Sequence, residues 1–291
     1  MEEIGARLAG RFGPGAEAWL AEVPDLAARL AVRWGFELGE LFASGAASVV
    51  WRCRWPDGTP AVLKLGPDRA LLTEQVEMLR VFAPSGRVPA VLAADARAGA
   101  MALEEVLPGT GAEDMPQTSL PQQWAELLAA LHSVRPPAQW PLDLRGRFDE
   151  AFVRIGRRLP EPAVGPYVGH AMWQRAIRRC ETLLDSQDRL VLLHGDLHLG
   201  NVLNGGPSRG LIAIDPKACV GDPCFDAVDY VVAGAGQEGV EARCRRVATA
   251  CGLDGDRLYA WSRVIAPMAA IAHLTHGGPE PVLDELLSLS C

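Results

Sequence analysis

The sequence predicts an α+β protein in two parts: a five-stranded antiparallel sheet carrying one helix over residues 1–107, and a mainly helical remainder over 108–291. Three observations predict it. Residues 34–107 hold short apolar runs separated by turn residues, and one helical stretch interrupts them at 71–82. Beyond the linker Pro108-Gly109-Thr110-Gly111 the apolar spacing becomes three and four residues.

Each element has its own signal. Ala16, Trp19, Leu20, Val23, Leu26, Leu30 and Val32 have loose helical spacing, with a break expected at Pro24. Residues 34–42 alternate large apolar with small or acidic residues, the period of a half-buried strand. Val49 to Trp55 and Ala61 to Leu65 flank Pro56-Asp57-Gly58-Thr59 and read as a hairpin. Leu72, Val76, Leu79 and Phe82 mark one helix, and Val88 to Ala93 with Met101 to Leu107 supply two more strands. In the second part, Trp124, Leu127, Leu128 and Leu131 follow helical spacing after Ser119, a candidate cap. Further helices are predicted near 147–158, 168–186, 224–234, 237–251, 256–275 and 281–289.

Composition narrows the function classes. The 291 residues are 49% apolar with a net charge of −8, which argues against a broad basic surface for nucleic acid and tilts toward a cationic small substrate. The start lacks a basic segment followed by an apolar core, and no apolar run reaches membrane-spanning length. A cytoplasmic monomer that engages no membrane is expected. The seven cysteines contain no CxxC pair, so reduced thiols are expected rather than a disulfide framework or zinc ribbon.

The chemistry concentrates in Leu190-Val191-Leu192-Leu193-His194-Gly195-Asp196-Leu197-His198-Leu199-Gly200-Asn201, where apolar residues bracket a polar loop with an acid and an amide five positions apart. Fourteen residues after Asn201, the run Leu211-Ile212-Ala213-Ile214 ends in Asp215. Phosphoryl transfer from a nucleotide needs such a set: one carboxylate to accept a hydroxyl proton, and an amide and a second carboxylate to hold Mg²⁺ against the phosphates. His194 and His198 also permit a metallohydrolase reading. Against it, no His-rich partner segment exists and the sheet lysine, Lys64, would go unexplained. Lys64 lies among Ala61, Val62, Leu63 and Leu65, where an ammonium needs either an anion or a strand edge along which to snorkel.

The spacing of Asp196 and Asn201 matches the protein-kinase catalytic loop, and HGDLHLGN followed by IDP resembles the aminoglycoside phosphotransferase branch of the protein-kinase-like fold. AIDPKACVGDPCFDAVDY, with RWGFELGE and DGTPAVLKLG upstream, resembles more narrowly the streptomycin 6-kinases of the aminoglycoside/hydroxyurea resistance kinase family. The resemblance runs from about Trp34 to about Tyr230. It implies Asp196 as catalytic base, Asn201 and Asp215 as Mg²⁺ ligands, and Lys64 on the α and β phosphates of ATP. An acid on the following helix should orient Lys64; Glu74 is the choice and Glu77 the competitor. Ser44, Gly45 and Ser48 occupy the place of the nucleotide-covering loop, although Ser44-Gly45-Ala46-Ala47-Ser48 departs from GxGxxG. Leu103-Glu104-Glu105-Val106 resembles the hinge, placing Glu104 and Val106 beside adenine.

His194 is expected to orient the loop, and Asp226 resembles the buried aspartate that braces it through backbone amides. Asp222 is open to the same job, and His132 reads as a packed or capping residue. The implied partner is a cationic aminoglycoside, streptomycin above others, phosphorylated at its 6-hydroxyl. Its guanidinium groups suit carboxylates, for which Asp149, Glu150, Asp226, Asp284 and Glu285 are candidates. Two alternatives stay open. One is a kinase of choline, a sugar, homoserine or another aminoglycoside; the other is a catalytically silent nucleotide-binding protein, which the joint presence of Lys64, Asp196, Asn201 and Asp215 argues against.

Overall fold

The computed structural model describes residues 2–13, 15–42, 48–277 and 279–291. Contacts divide the chain into two compact units, Met1–Gly109 and Thr110–Cys291.

The first unit is built on helices α1 (Glu2–Phe12) and α2 (Gly15–Trp34), strands β1 (Glu37–Leu41), β2 (Val49–Arg54) and β3 (Pro60–Leu65), helix α3 (Arg69–Phe82), and strands β4 (Val91–Asp95) and β5 (Ala100–Glu104). The five strands form an antiparallel sheet in the order β1-β2-β3-β5-β4. Asp57 shapes the β2–β3 turn, its carboxylate accepting the Thr59 N–H at 2.9 Å. Asp68 caps α3 by accepting the Leu71 N–H at 3.0 Å. Two differences from the sequence prediction stand out. Helix α1 has no counterpart there, and α2 runs through Pro24 rather than breaking. The reason is tertiary: Ile4, Leu8, Ala16, Val23, Ala27 and Leu30 share one core with Val49, Ala61, Leu63 and Leu65 of the sheet. That burial outweighs the missing N–H of one proline.

The second unit holds α4 (Leu120–His132), α5 (Leu144–Gly156), α6 (His170–Asp185), β6 (Val191–Leu193), β7 (Val202–Asn204), β8 (Leu211–Ala213), β9 (Cys219–Gly221), α7 (Phe225–Val232), α8 (Val240–Cys251), α9 (Gly255–His276) and α10 (Glu280–Ser290). Strand β6 pairs with β9 and β7 with β8, both antiparallel. Ser119 precedes α4 without capping it, because its hydroxyl donates to the Pro116 carbonyl at 3.3 Å. Phe148 packs on Phe152, Phe225 and Trp261, and Trp124 stacks on Tyr230 at 4.6 Å. Asp222 accepts from Arg257 and from the Trp261 indole, fixing α9 in this core. All seven cysteines are free, and burial pushes the Cys219 thiol up to about 12, as expected of packing rather than reactive residues. Among the described residues no helix is long and apolar enough to cross a membrane.

Candidate active site

The polar loop His194–Asn201 begins where β6 ends. Strand β6 pairs with β9, and the backbone N–H of Lys217 donates to the His194 carbonyl at 2.9 Å just beyond that ladder. Gly195 then turns in the left-handed region with φ 78°. A Cβ there would stand 2.3 Å from the Lys217 carbonyl oxygen, so only glycine fits.

Asp226, on the first turn of α7, holds the loop. Its two carboxylate oxygens accept the N–H groups of His194 and Gly195, each at 2.8 Å, and His132 of α4 meets the same carboxylate at 3.0 Å. Burial alone would raise this carboxyl. The His132 hydrogen bond and the Gly195 N–H more than offset it, so Asp226 lies below the usual carboxylate range. His194 is fully buried, which pushes its pKa down and keeps the ring neutral. Its Nε2 bonds the Ile214 carbonyl at 3.0 Å and its Nδ1 faces the Asp196 N–H at 3.4 Å. With both ring nitrogens engaged it is no zinc ligand, and no cluster of three His, Cys, Asp or Glu side chains suited to a metal occurs among the described residues.

Asp196 is thereby presented as a half-buried carboxylate on a fixed backbone. Lys217 Nζ lies 2.7 Å from one of its oxygens and an Arg147 nitrogen 3.5 Å from the other. Burial pushes the Asp196 carboxyl up, yet the Lys217 ammonium, its hydrogen bond and the Arg147 guanidinium outweigh that, and the net direction is down. The group is ionised at neutral pH, the state a proton acceptor needs.

The β7–β8 hairpin pairs Val202 with Ala213, and the Ile214 N–H donates to the Asn201 carbonyl at 2.9 Å. Asn201 and Asp215 therefore leave the same end of one hairpin. Asn201 spends its Nδ2 on the Asp196 backbone carbonyl at 2.9 Å, which turns its Oδ1 away from that bond. Asp215 has φ 55°, a left-handed conformation that costs an L-residue about 1–2 kcal/mol. An amide oxygen and a carboxylate are hard donors that fit Mg²⁺, which takes one or two protein ligands and completes its shell with water and phosphate oxygens.

In the first unit, Lys64 sits on β3, the central strand, between Val50 and Met101. No strand edge is available for snorkelling: Lys64 is 6% exposed, and its ammonium donates to Gln75 Oε1 at 3.2 Å, with Gln75 7% exposed. Glu74, expected to orient this lysine, is exposed, as is Glu77. The reason is the rotation of α3, which buries Leu72, Gln75, Val76, Met78, Leu79 and Phe82 and turns both glutamates to water. Ser48 is buried, while Ser44 and Gly45 lie outside the described residues. Glu104 ends β5, its carboxylate accepting the Ala90 N–H at 3.1 Å, and Val106 is buried nearby in sequence.

The proposed substrate acids separate. Asp226 is 2% exposed and committed to the loop, so it is not a substrate ligand. Glu285 accepts the N–H groups of Gly236 and Val240 at 2.8 and 2.6 Å, serving the start of α8 instead. Glu150 pairs with Arg154 one turn on, and Asp149 and Asp284 lie on exposed helix faces. Sequence spacing does not single out Arg147, Lys217, Gln75 or Asp229. Asp229 lies one turn after Asp226 on α7, and burial followed by the nearby Asp196 charge pushes its carboxyl up to about 6. Its i, i+3 relation to Asp226 is the signal that could have found it.

Comparison with known proteins gives the lineage. The model of the APH phosphotransferase enzyme family matches residues 39–263. A streptomycin 6-kinase from Streptomyces glaucescens is 35% identical over 234 residues, 77% of this chain and 72% of that one. A hydroxyurea phosphotransferase from Kitasatospora aureofaciens is 32% identical over 271 residues, 90% of this chain and 75% of its own. Choline kinase LicA from Streptococcus pneumoniae shares the kinase-like fold, with a TM-score of 0.65 at 11% identity over 93% of this chain and 97% of that one. A polar loop braced by Asp226, a hairpin carrying Asn201 and Asp215, and a family match across most of the sequence lead to one conclusion: the chain belongs to the APH phosphotransferase enzyme family.

Proposed function

We propose that this protein is an ATP-dependent O-phosphotransferase acting on streptomycin at the 6-hydroxyl, and that it confers resistance by doing so. The observation that carries the reading is the Asp196 carboxylate, set against Lys217 on a backbone held by Asp226, in the loop that leads to Asn201 and the hairpin before Asp215. Asp196 accepts the proton of the substrate hydroxyl as its oxygen attacks the γ-phosphorus; the new O–P bond forms and the bond to ADP breaks. Asn201 and Asp215 are the ligands for Mg²⁺, which when bound offsets the charge of the phosphates. Lys64 is assigned to the nucleotide phosphates and Gln75 holds its ammonium in place. Phosphorylation adds negative charge to a cationic drug and spoils its fit to ribosomal RNA.

The hydroxyurea phosphotransferase relative, matched over 90% of this chain, favours a second substrate class. Hydroxyurea and the streptidine guanidinium groups both present a planar N–C–N unit. Purified protein is to be incubated with Mg·ATP and either streptomycin or hydroxyurea, and the product read by mass spectrometry and phosphorus NMR. A streptomycin product bearing one phosphoryl group on the 6-oxygen is expected. Transfer to hydroxyurea alone would replace the first substrate with the second.

A further inference from the structure

Of the 28 basic residues in the chain, 26 are arginine; the two lysines are Lys64 and Lys217. Arginine therefore serves wherever this protein needs only a surface cation or an ion pair, including Arg147, which flanks the candidate base. Lys217 breaks that habit beside the same carboxylate. Its ammonium is 2.7 Å from Asp196, and its side chain remains 42% exposed.

The backbone of Lys217 is held by its neighbours while its side chain is partly open to solvent. Its N–H donates to the His194 carbonyl at 2.9 Å, its carbonyl accepts from Arg147 at 3.4 Å, and Gly195 is pressed against that carbonyl. From this fixed root a four-carbon stem carries a compact charge with three rotatable donors. A hydroxyl that gives its proton to Asp196 must lie within hydrogen-bond reach of it, with the attacked phosphorus about 3–3.5 Å further on. The ammonium on Asp196 is then within reach of the phosphoryl oxygens. An arginine in its place would grip both carboxylate oxygens through its planar fork and compete with the hydroxyl for them.

Resting on the phosphotransferase reading above, we infer that Lys217 is a second catalytic residue, whose ammonium passes from Asp196 to the phosphoryl group as it is transferred. The proton goes from substrate hydroxyl to Asp196, which removes the carboxylate charge that held Lys217. The O–P bond forms, the bond to the ADP oxygen breaks, and Lys217 keeps all three of its protons throughout. The ammonium is thus released towards the phosphoryl oxygens as their charge develops, an interaction made in the transition state and not with bound ATP.

The test compares the parental enzyme with Lys217→Ala and Lys217→Arg in Mg·ATP and streptomycin, measuring kcat, the KM for ATP, and the affinity for ADP with and without aluminium fluoride, a mimic of the phosphoryl group in flight. For Lys217→Ala, kcat is expected to fall about 10²-fold, the cost of one oxyanion donor, while the KM for ATP and the affinity for ADP alone change less than threefold. Affinity for ADP with aluminium fluoride is expected to fall in step with kcat. Lys217→Arg is expected to recover less than a tenth of the parental kcat. A residue that merely shapes the loop would lower the affinity for ADP alone and for the mimic together, and that result would overturn the inference. So would a Lys217→Arg enzyme with parental kcat. If the parental enzyme phosphorylates neither streptomycin nor hydroxyurea, the functional reading fails and this one with it; if it is active and Lys217→Arg matches it, only this one fails.

Discussion

The two units hold their lysines in opposite ways. Lys64 stands in the middle of a five-stranded sheet, with ladder partners on both sides and Gln75 among the groups that meet its ammonium, and is almost wholly buried. Lys217 lies between two strands only three residues long, bonds a carboxylate and keeps its side chain partly in water. The sheet places its cation by backbone pairing spread over many residues. The loop of the second unit is placed by one buried carboxylate, Asp226, that gathers two N–H groups and an imidazole from separate segments. A site built by a ladder is expected to tolerate the loss of a side chain better than a site built by a single polar hub.

The sharpest way to break this contrast is at the hub. Asp226→Ala leaves two buried N–H groups and His132 without their acceptor, and a loss of about 3–5 kcal/mol in unfolding free energy is expected by denaturant titration. The same group sets an acid limb. Its carboxyl is lowered in the folded protein, so its stabilisation is complete above the unfolded value of about 4 and is lost as pH falls through the lower folded value. Asp226→Asn should flatten that acid-side fall, seen as a smaller difference between melting curves at neutral and acidic pH.

Next in size is the proposed base. Asp196→Asn is expected to lower kcat by roughly 10²-fold or more with nucleotide affinity preserved, measured by product formation and by ADP titration; turnover at the parental rate would remove Asp196 from its role. In the sheet unit the effects should be smaller. Gln75→Leu removes a buried acceptor from Lys64 and should cost about 1–3 kcal/mol, with a raised KM for ATP that Gln75→Glu restores. Glu74→Ala, at an exposed position, should change stability by less than about 0.5 kcal/mol and leave KM unchanged. A large effect at Glu74 with none at Gln75 would reverse the assignment of the lysine's partner.

Local pattern and motif spacing determined much of this protein. Alternation marked β1, apolar runs flanking turn residues marked β2 and β3, and five-residue spacing marked Asp196 with Asn201, because strand period and loop geometry are short-range properties. Tertiary packing decided the rest. An α-helix turns each successive side chain by about 100°, so one residue of register separates Gln75 facing Lys64 from Glu74 facing water, and only docking against the sheet sets that rotation. The same holds for carboxylates. Asp226 and Glu285 look alike in sequence as candidates for a cationic substrate, but each is used up by backbone N–H groups that the folded chain brings from elsewhere. The pairing of Lys217 and Arg147 with Asp196 likewise joins distant segments, Arg147 and Lys217 themselves being 70 positions apart, and Lys217 reaches Asp196 because β6 lies beside β9 rather than through any pattern along the chain.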